Sequence, residues 1–258
     1  MATQIHPTAI VAPGAQLGEG VEIGPYSVVG EHVKLGAGTK LYPHVVIAGH
    51  TTLGARCEVY PFASIGQQTQ DLKFRGGAPR VEIGDQTTLR EYVTVNAATN
   101  DGDATRVGSG CHIMAYAHVA HDCIVGNEVI MANAATLAGH VILEDQVIVG
   151  GLCGVHQFVR IGRLTITGGC SKATQDIPPF MTADGNPMSV HGLNTIGLQR
   201  RGVSETAVAA LKKAYRILYR ENLTAKLALA KIEAHVEQLP EVAHLVAFVR
   251  ASERGITR

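Results

Sequence analysis

Residues 21–49 read VEIGPYSVVGEHVKLGAGTKLYPHVVIAG, and within them an aliphatic side chain falls on every sixth position: Ile23, Val29, Leu35, Leu41 and Ile47. The series extends both ways, back through Leu17, Val11 and Ile5 and forward through Leu53, Val59 and Ile65. It is interrupted, resumes at Ile83, Leu89 and Val95, and is interrupted again. It then returns as Val107, Ile113, Val119, Val125, Met131, Leu137, Leu143, Val149, Val155 and Ile161. A period of six fits neither a 3.6-residue helix nor the two-residue alternation of an ordinary strand. It fits a short strand plus a corner, repeated, so that three units close a triangular coil with the aliphatic side chain pointing inward. The glycine that often follows, as at Gly18, Gly24, Gly30, Gly36, Gly54 and Gly66, takes the tight corner, where a Cβ would clash or φ must be positive. One coil cannot bury its own apolar face, so stacked coils supply the core. Their backbones pair at the ~4.8 Å spacing of a parallel sheet. The expected fold class is mainly β, a parallel β-helix.

Two interruptions, near residues 67–79 and 97–105, must leave the solenoid as surface loops, and loops on a rigid scaffold are where function concentrates. The second reads equally well as slack between coils. Past Ile177-Pro178-Pro179 the period dissolves, and a linker through Gly192 leads to a helical tail. The expected organisation is a β-helix over residues 1–192 and an α-helical domain over 193–258. Ser204 caps a helix whose apolar face is Val208, Leu211, Tyr215 and Leu218. Thr224 caps a second, with Leu229, Ile232 and Val236, ended by Pro240. A third carries Val242, Leu245, Val246 and Val249. Together they would form a lid on the prism.

Composition narrows the function. With 22 basic and 22 acidic residues, nothing points to nucleic acid or an anionic membrane. The cysteines (Cys57, Cys111, Cys123, Cys153 and Cys170) are scattered and lack a Cys-x-x-Cys pair, so they read as small buried fillers in a reducing compartment. No apolar stretch approaches the ~20 residues that span a bilayer, and no secretory signal is legible, so a cytoplasmic location is expected.

Residues three hexads apart lie one above another. His121, Gly139 and Gln157 form one column, and Asp122, His140 and Phe158 the next, with His118 and His156 close by. Three chemistries can use such a cluster. Zinc takes imidazole readily, but it needs three ligands converging at ~2.0–2.1 Å. Covalent catalysis needs a nucleophile motif, and only Cys123 lies nearby. General-base catalysis fits best: a neutral imidazole takes the proton from a hydroxyl as it attacks an activated carbonyl. A thioester needs only that base and an oxyanion donor, so no metal or cofactor is expected.

Six segments then become specific: Gln70-Asp71-Leu72-Lys73, Ala120-His121-Asp122-Cys123, Leu137-Ala138-Gly139-His140, Val155-His156-Gln157-Phe158, Gly185-Asn186 and Arg200-Arg201-Gly202. In order and spacing they resemble the lipid A 3-O-acyltransferase family of hexapeptide-repeat enzymes, over the whole chain. The resemblance implies a left-handed coil, which spacing cannot provide and which runs against the usual crossover rule. It implies transfer of a 3-hydroxyacyl group from acyl carrier protein to the glucosamine 3-position of UDP-N-acetylglucosamine, by a homotrimer with its site between subunits. His121 matches the family's general base, Asp122 its orienting partner and Gly139 the backbone oxyanion donor. Adjacent strand residues usually point apart, which weighs against Asp122 reaching the ring. Asp71, Lys73, His118, His140, His156 and Gln157 match sugar or acyl contacts. Asn194, Arg200 and Arg201 match uridine and diphosphate contacts, for which a guanidinium fork is suited. Lys212, Lys213, Arg216 and Arg220 form a basic helix edge that suits an acidic carrier protein or simply faces solvent.

Three departures qualify the carry-over. Thr94-Val95-Asn96-Ala97-Ala98-Thr99 stands where the family commonly has a His and an Arg at the positions of Asn96 and Ala97, which opens a 3-amino sugar as acceptor. Pro187 replaces a His near the end of the acyl chain, and Gly169, at another position linked to acyl length, leaves the groove open for a longer chain. Ile196 stands where some relatives place a Glu near the uracil. Rival readings are an acetyl-CoA-dependent hexapeptide transferase, a zinc enzyme and a non-catalytic solenoid.

Overall fold

In the computed structural model, which describes residues 2–258, most hexads form two-residue strands separated by tight corners. Register follows the period: Glu22–Ile23 pairs in parallel with Lys40–Leu41, and that with Glu58–Val59. Three sheets result, a first face opening with Gln4–Ile5, a second with Ile10–Val11 and a third with Gln16–Leu17. The aliphatic row is buried from Ile23 onward, whereas at the open end Ile5 is exposed and Val11 and Leu17 are half-buried.

A second inward row lies two residues earlier and is made of small side chains, such as Val33, Val45 and Ala63. Polar members of this row cap corner carbonyls of the next coil. The Thr39 hydroxyl donates to Gly54 O at 2.8 Å, and the thiols of Cys57 and Cys123 donate to Gly84 O and Ala138 O, each at 3.1 Å. Cysteine here does the work of threonine. Four of the five cysteines are buried fillers as expected, but Cys170 sits at an exposed corner.

The corner glycines serve close approach rather than a special φ. A Cβ on Gly36 would lie 2.4 Å from the carbonyl carbon of Gly54, and one on Gly18 2.6 Å from Ala37 N. Among the six quoted glycines only Gly66 has positive φ. The left-handed conformation falls two residues later, on side chains such as Tyr26, His44 and Phe62. Gly36→Ala should therefore cost about 1–3 kcal/mol through overpacking. Gly154→Ala, whose Cβ meets nothing within 4 Å, should leave the melting temperature nearly unchanged. Equal melting temperatures for the two variants would contradict this account.

Along the corner between first and second faces, the rings of Tyr26, His44, Phe62, Tyr92 and Tyr116 stack with centroids 4.8–5.1 Å apart. All but His44 are large exposed apolar side chains.

Both excursions leave the corner between second and third faces. The first spans residues 68–79, since Gln67 ends one strand and Arg80 begins the next. The second is shorter than expected, residues 97–103, because Ala104 and Thr105 already belong to the strand Ala104–Val107. The segment before Leu193, expected as a linker, is instead an antiparallel hairpin, Met181–Gly185 with Met188–Leu193, added to the first face.

Four helices follow: α1 Thr195–Arg200, α2 Glu205–Arg220, α3 Ala225–His235 and α4 Pro240–Arg250. Ser204 and Thr224 cap α2 and α3 through Ala207 N and Leu227 N. Pro240 does not end α3, which stops at His235; it opens α4, where a missing N–H costs nothing. α4 packs on the third face. His244 Nε2 lies 2.7 Å from Glu144 Oε2, and the Arg160 guanidinium sits 4.6 Å over the Phe248 ring. Burial alone would raise the Glu144 carboxyl, but hydrogen bonds from His244 and Arg163 N outweigh it and hold the group below the ordinary range. Among the described residues no helix is long and apolar enough to cross a membrane.

Candidate active site

His121-Asp122, Gly139-His140 and Gln157-Phe158 occupy one corner on successive coils. Its ladder runs from His140 N to His121 O at 3.0 Å and from Phe158 N to Gly139 O at 3.1 Å. The expected juxtaposition of His121 and Gly139 is present and close. A Cβ on Gly139 would fall 2.3 Å from His121 Cε1 and 2.5 Å from Nε2, so the imidazole fills the space a side chain would take. At equivalent corners the first N–H is capped by a side chain: Ala55 N by Asp85, Ser109 N by Asn127 and Asn127 N by Asp145. The Gly139 N–H has no acceptor among the described residues. A donor therefore stands open beside the imidazole.

His121 Nδ1 is 2.8 Å from Asp122 Oδ2. The expectation that neighbouring side chains would point apart fails, because this pair lies in a corner, with Asp122 at φ 59, and not in a strand. The Asp122 carboxylate also accepts from Thr99 N at 3.2 Å, and Asp122 N donates to Thr105 Oγ1 at 2.8 Å. With Nδ1 engaged by the carboxylate, the ring's free lone pair is Nε2, on the side of Gly139. That is the tautomer a general base needs.

The surroundings sort the alternatives. Burial raises the Cys123 thiol to about 12, leaving it protonated and inert as a nucleophile. Ligand atoms of His121, Asp122 and His140 lie within 4.8 Å of one another. The first two are in hydrogen-bond contact, His121 Nδ1 with Asp122 Oδ2 at 2.8 Å. His118 donates to or accepts from Thr94 Oγ1 at 2.7 Å, and burial, aided by His121, pushes its pKa down toward the neutral ring.

A cavity of about 580 Å³ opens over this corner. Asp71 and Lys73 enter it from the first excursion, Asn96 and His118 from the second face, and His121, His140 and Gln157 from the corner. The Lys73 N–H at 3.0 Å holds the Asp71 carboxyl below the usual carboxylate range. A second groove of about 400 Å³ adjoins it along the second face, sharing Thr136 and Ala138. His156 lies there with Cys170 and Asn186. Gly169 precedes Cys170 at the far corner, and Pro187 follows Asn186 at the hairpin tip.

The remaining expected contacts lie elsewhere on the chain. Asn194 is occupied by the fold: its Oδ1 accepts from Gly197 N to cap α1, and its Nδ2 donates to Leu164 O. Arg201 pairs with Glu128 at the corner between third and first faces, with Arg200 beside it in the last turn of α1. Sequence reasoning missed the threonines that hold the base. Thr99 touches His121 Nδ1 at 3.1 Å, Thr105 anchors Asp122 and Thr94 anchors His118. The second excursion is thus no slack between coils.

This fold and site define a left-handed parallel β-helix acyltransferase of the hexapeptide-repeat type. Residues 104–139 match the family model for bacterial transferase hexapeptide repeats, and residues 176–257 match that for domain 2 of UDP-N-acetylglucosamine O-acyltransferase. Similar curated proteins include acyl-[acyl-carrier-protein]–UDP-N-acetylglucosamine O-acyltransferases from Thiobacillus denitrificans, 51% identical over all of both chains, and from Myxococcus xanthus, 52% identical over 99% of each. Among solved structures, LpxA from Acinetobacter baumannii superposes with a TM-score of 0.95 at 41% identity, covering 98% of this chain and 99% of that one. The chain belongs to the acyl-[acyl-carrier-protein]–UDP-N-acetylglucosamine O-acyltransferase family.

Proposed function

We propose that this chain transfers a 3-hydroxyacyl group from acyl carrier protein to the glucosamine 3-position of UDP-N-acetylglucosamine, the first step of lipid A synthesis. The observation that carries the mechanism is the His121 imidazole lying against the Gly139 backbone with Nδ1 on Asp122. Nε2 takes the acceptor proton as the sugar oxygen attacks the thioester carbon. The Gly139 N–H receives the charge that develops on the carbonyl oxygen. Collapse expels the carrier thiolate, which regains the proton from the imidazolium, and the product is an ester. No step requires a metal or cofactor.

Asp71 and Lys73 meet the sugar, and the adjoining groove past His156 toward Gly169 takes the acyl chain. At Gly169 an added Cβ would meet one close neighbour, Gly151 O at 3.3 Å, so a side chain fits there once that carbonyl gives by a few tenths of an ångström. Gly169→Met is expected to shorten the preferred acyl chain, read by product mass across a series of carrier-protein thioesters. An unchanged preference would remove Gly169 from that role.

A homotrimer explains why expected contacts fall at two different corners of one chain. His121 and Arg201 are separated by a whole face, so a second copy would bring its Arg200, Arg201 and Asn194 segment to this cavity. Leu72, 93% exposed on the excursion beside the cavity, supports a covered surface there, and the exposed aromatic column supports another at the corner between first and second faces. The exposed Lys212, Lys213, Arg216 and Arg220 edge of α2 suits an acidic carrier protein. Free thiols and the carrier-protein donor fit a cytoplasmic location.

One observation favours a second acceptor. Asn96 Nδ2 donates to Gln68 O, while its buried Oδ1 in the cavity wall has no donor among the described residues. A 3-amino sugar brings two hydrogens, one for His121 and one for Asn96, and would give an amide. Mass analysis of products from both acceptors, with carrier-protein thioesters and acetyl-CoA as rival donors, tests the function. Ester formation from the thioester is expected, and equal use of acetyl-CoA would overturn the donor assignment.

A further inference from the structure

Thr99 is the meeting point of three functional groups, two adjacent at one corner and the third on the first excursion. Its N–H donates to both oxygens of Asp122, at 3.3 and 3.2 Å. Its hydroxyl lies 3.1 Å from His121 Nδ1, 3.5 Å from Asp71 Oδ2 and 3.4 Å from Thr69 Oγ1. Thr69 in turn accepts from Asp71 N at 3.0 Å. One nearly buried side chain therefore touches the base, the carboxylate behind it and the acidic residue on the excursion over the cavity.

Resting on the general-base role of His121 proposed above, we propose that Thr99 is a positioning residue that locks the base to the acceptor-binding excursion. Its backbone fixes Asp122, so Nδ1 keeps its proton and Nε2 stays free. Its hydroxyl is a second acceptor for that Nδ1 proton and passes its own hydrogen to Asp71 or Thr69. When the imidazole becomes cationic, the hydroxyl connects it to the Asp71 carboxylate. The excursion over residues 68–79 and the base then hold one geometry together. A displacement of one is a misalignment of the other, and misalignments of reacting groups are costly.

The charged and titratable groups facing His121 are Asp122 on its own corner, Asp71 from the first excursion, His118 from the second face and His140 from the next coil. Thr99 links two of these, both carboxylates, to the ring. Removing its hydroxyl takes away the second acceptor of the Nδ1 proton and cuts the link between the ring and Asp71.

The test uses the full chain, purified, with a 3-hydroxyacyl carrier-protein thioester and UDP-N-acetylglucosamine. Thr99→Val keeps the shape and the backbone N–H but removes the hydroxyl, whereas Thr99→Ser restores it. Thr99→Val should lower kcat on the order of tenfold. Thr99→Ser should return kcat to within about twofold of the parent, since it restores the hydroxyl that aligns the base. Thermal melting of all variants shows whether each is folded, and Thr99→Ala serves if the valine variant is not. A valine variant with parental kcat, or a serine variant as impaired as the valine one, overturns the proposal. His121→Ala is run alongside: if it turns over normally, the general-base reading itself fails, independently of what Thr99 does.

Discussion

Replacing His121 by alanine is expected to lower kcat/KM by ~10²–10⁴-fold while leaving the prism folded. The loss follows from chemistry: the Nε2 that lies against Gly139, with Nδ1 held by Asp122, is the group placed to take the acceptor's proton. His118 is no substitute, because its Nδ1 is tied to Thr94 and it lies on the second face, away from the Gly139 N–H. Stability should change little, because the ring lies outside the aliphatic core, against backbone and Asp122. What truncation leaves behind is a carboxylate still held by Thr99 N and near His140 Nε2 at 3.6 Å. The measurement is steady-state turnover with thermal melting on the same preparation. Normal turnover by a folded variant would end the general-base assignment and move weight to the non-catalytic reading.

Gly139→Ala should be nearly as damaging, for a steric reason. The added methyl would need to sit 2.3 Å from His121 Cε1, a distance that real Cβ atoms do not reach. The neighbouring backbone is held in the ladder through Phe158 N, so the ring is the part that yields. Turning it aside breaks the 2.8 Å bond to Asp122 and removes Nε2 from the oxyanion donor. A loss on the order of 10²–10³-fold in kcat is expected, comparable to removing a base or an oxyanion donor. The mechanism makes a sharper demand of the double variant. If the methyl acts by displacing the imidazole, then His121→Ala with Gly139→Ala should be no slower than His121→Ala alone. Any melting-temperature loss in the single Gly139 variant should also recover, since the clash is gone. Multiplicative losses in the double variant would show that the two positions act independently.

The repeat and its consequences were legible because a six-residue period is a local property repeated many times. Ile23, Leu41 and Val59 declare one buried row without reference to any partner. The stacking of His121 beneath Gly139 follows from the same count, as both lie after the second excursion, where every coil has equal length. Thr99 is different. It lies in the excursion itself, where the coils from Ser64 to Thr94 and from Thr94 to His118 are both longer than the regular three hexads, and there counting in hexads no longer says what stands above what. Nor did the count show that His121 and Asp122 face the same side, which depends on the left-handed φ of Asp122. Likewise the hairpin Met181–Gly185 with Met188–Leu193 has no period to betray it, and its reading as a linker came from that silence.

Sequence alone determined the solenoid, the column that joins base and glycine, and the family motifs, because each is written in spacing along one chain. Tertiary structure decided the tautomer of His121, the clamp at Thr99 and the cavity shared by Asp71, Asn96 and His140. Those depend on where two loops of unequal length return to the prism. Such closure is set by packing and hydrogen bonds between residues more than twenty positions apart, as between Thr99 and His121, which no local pattern encodes.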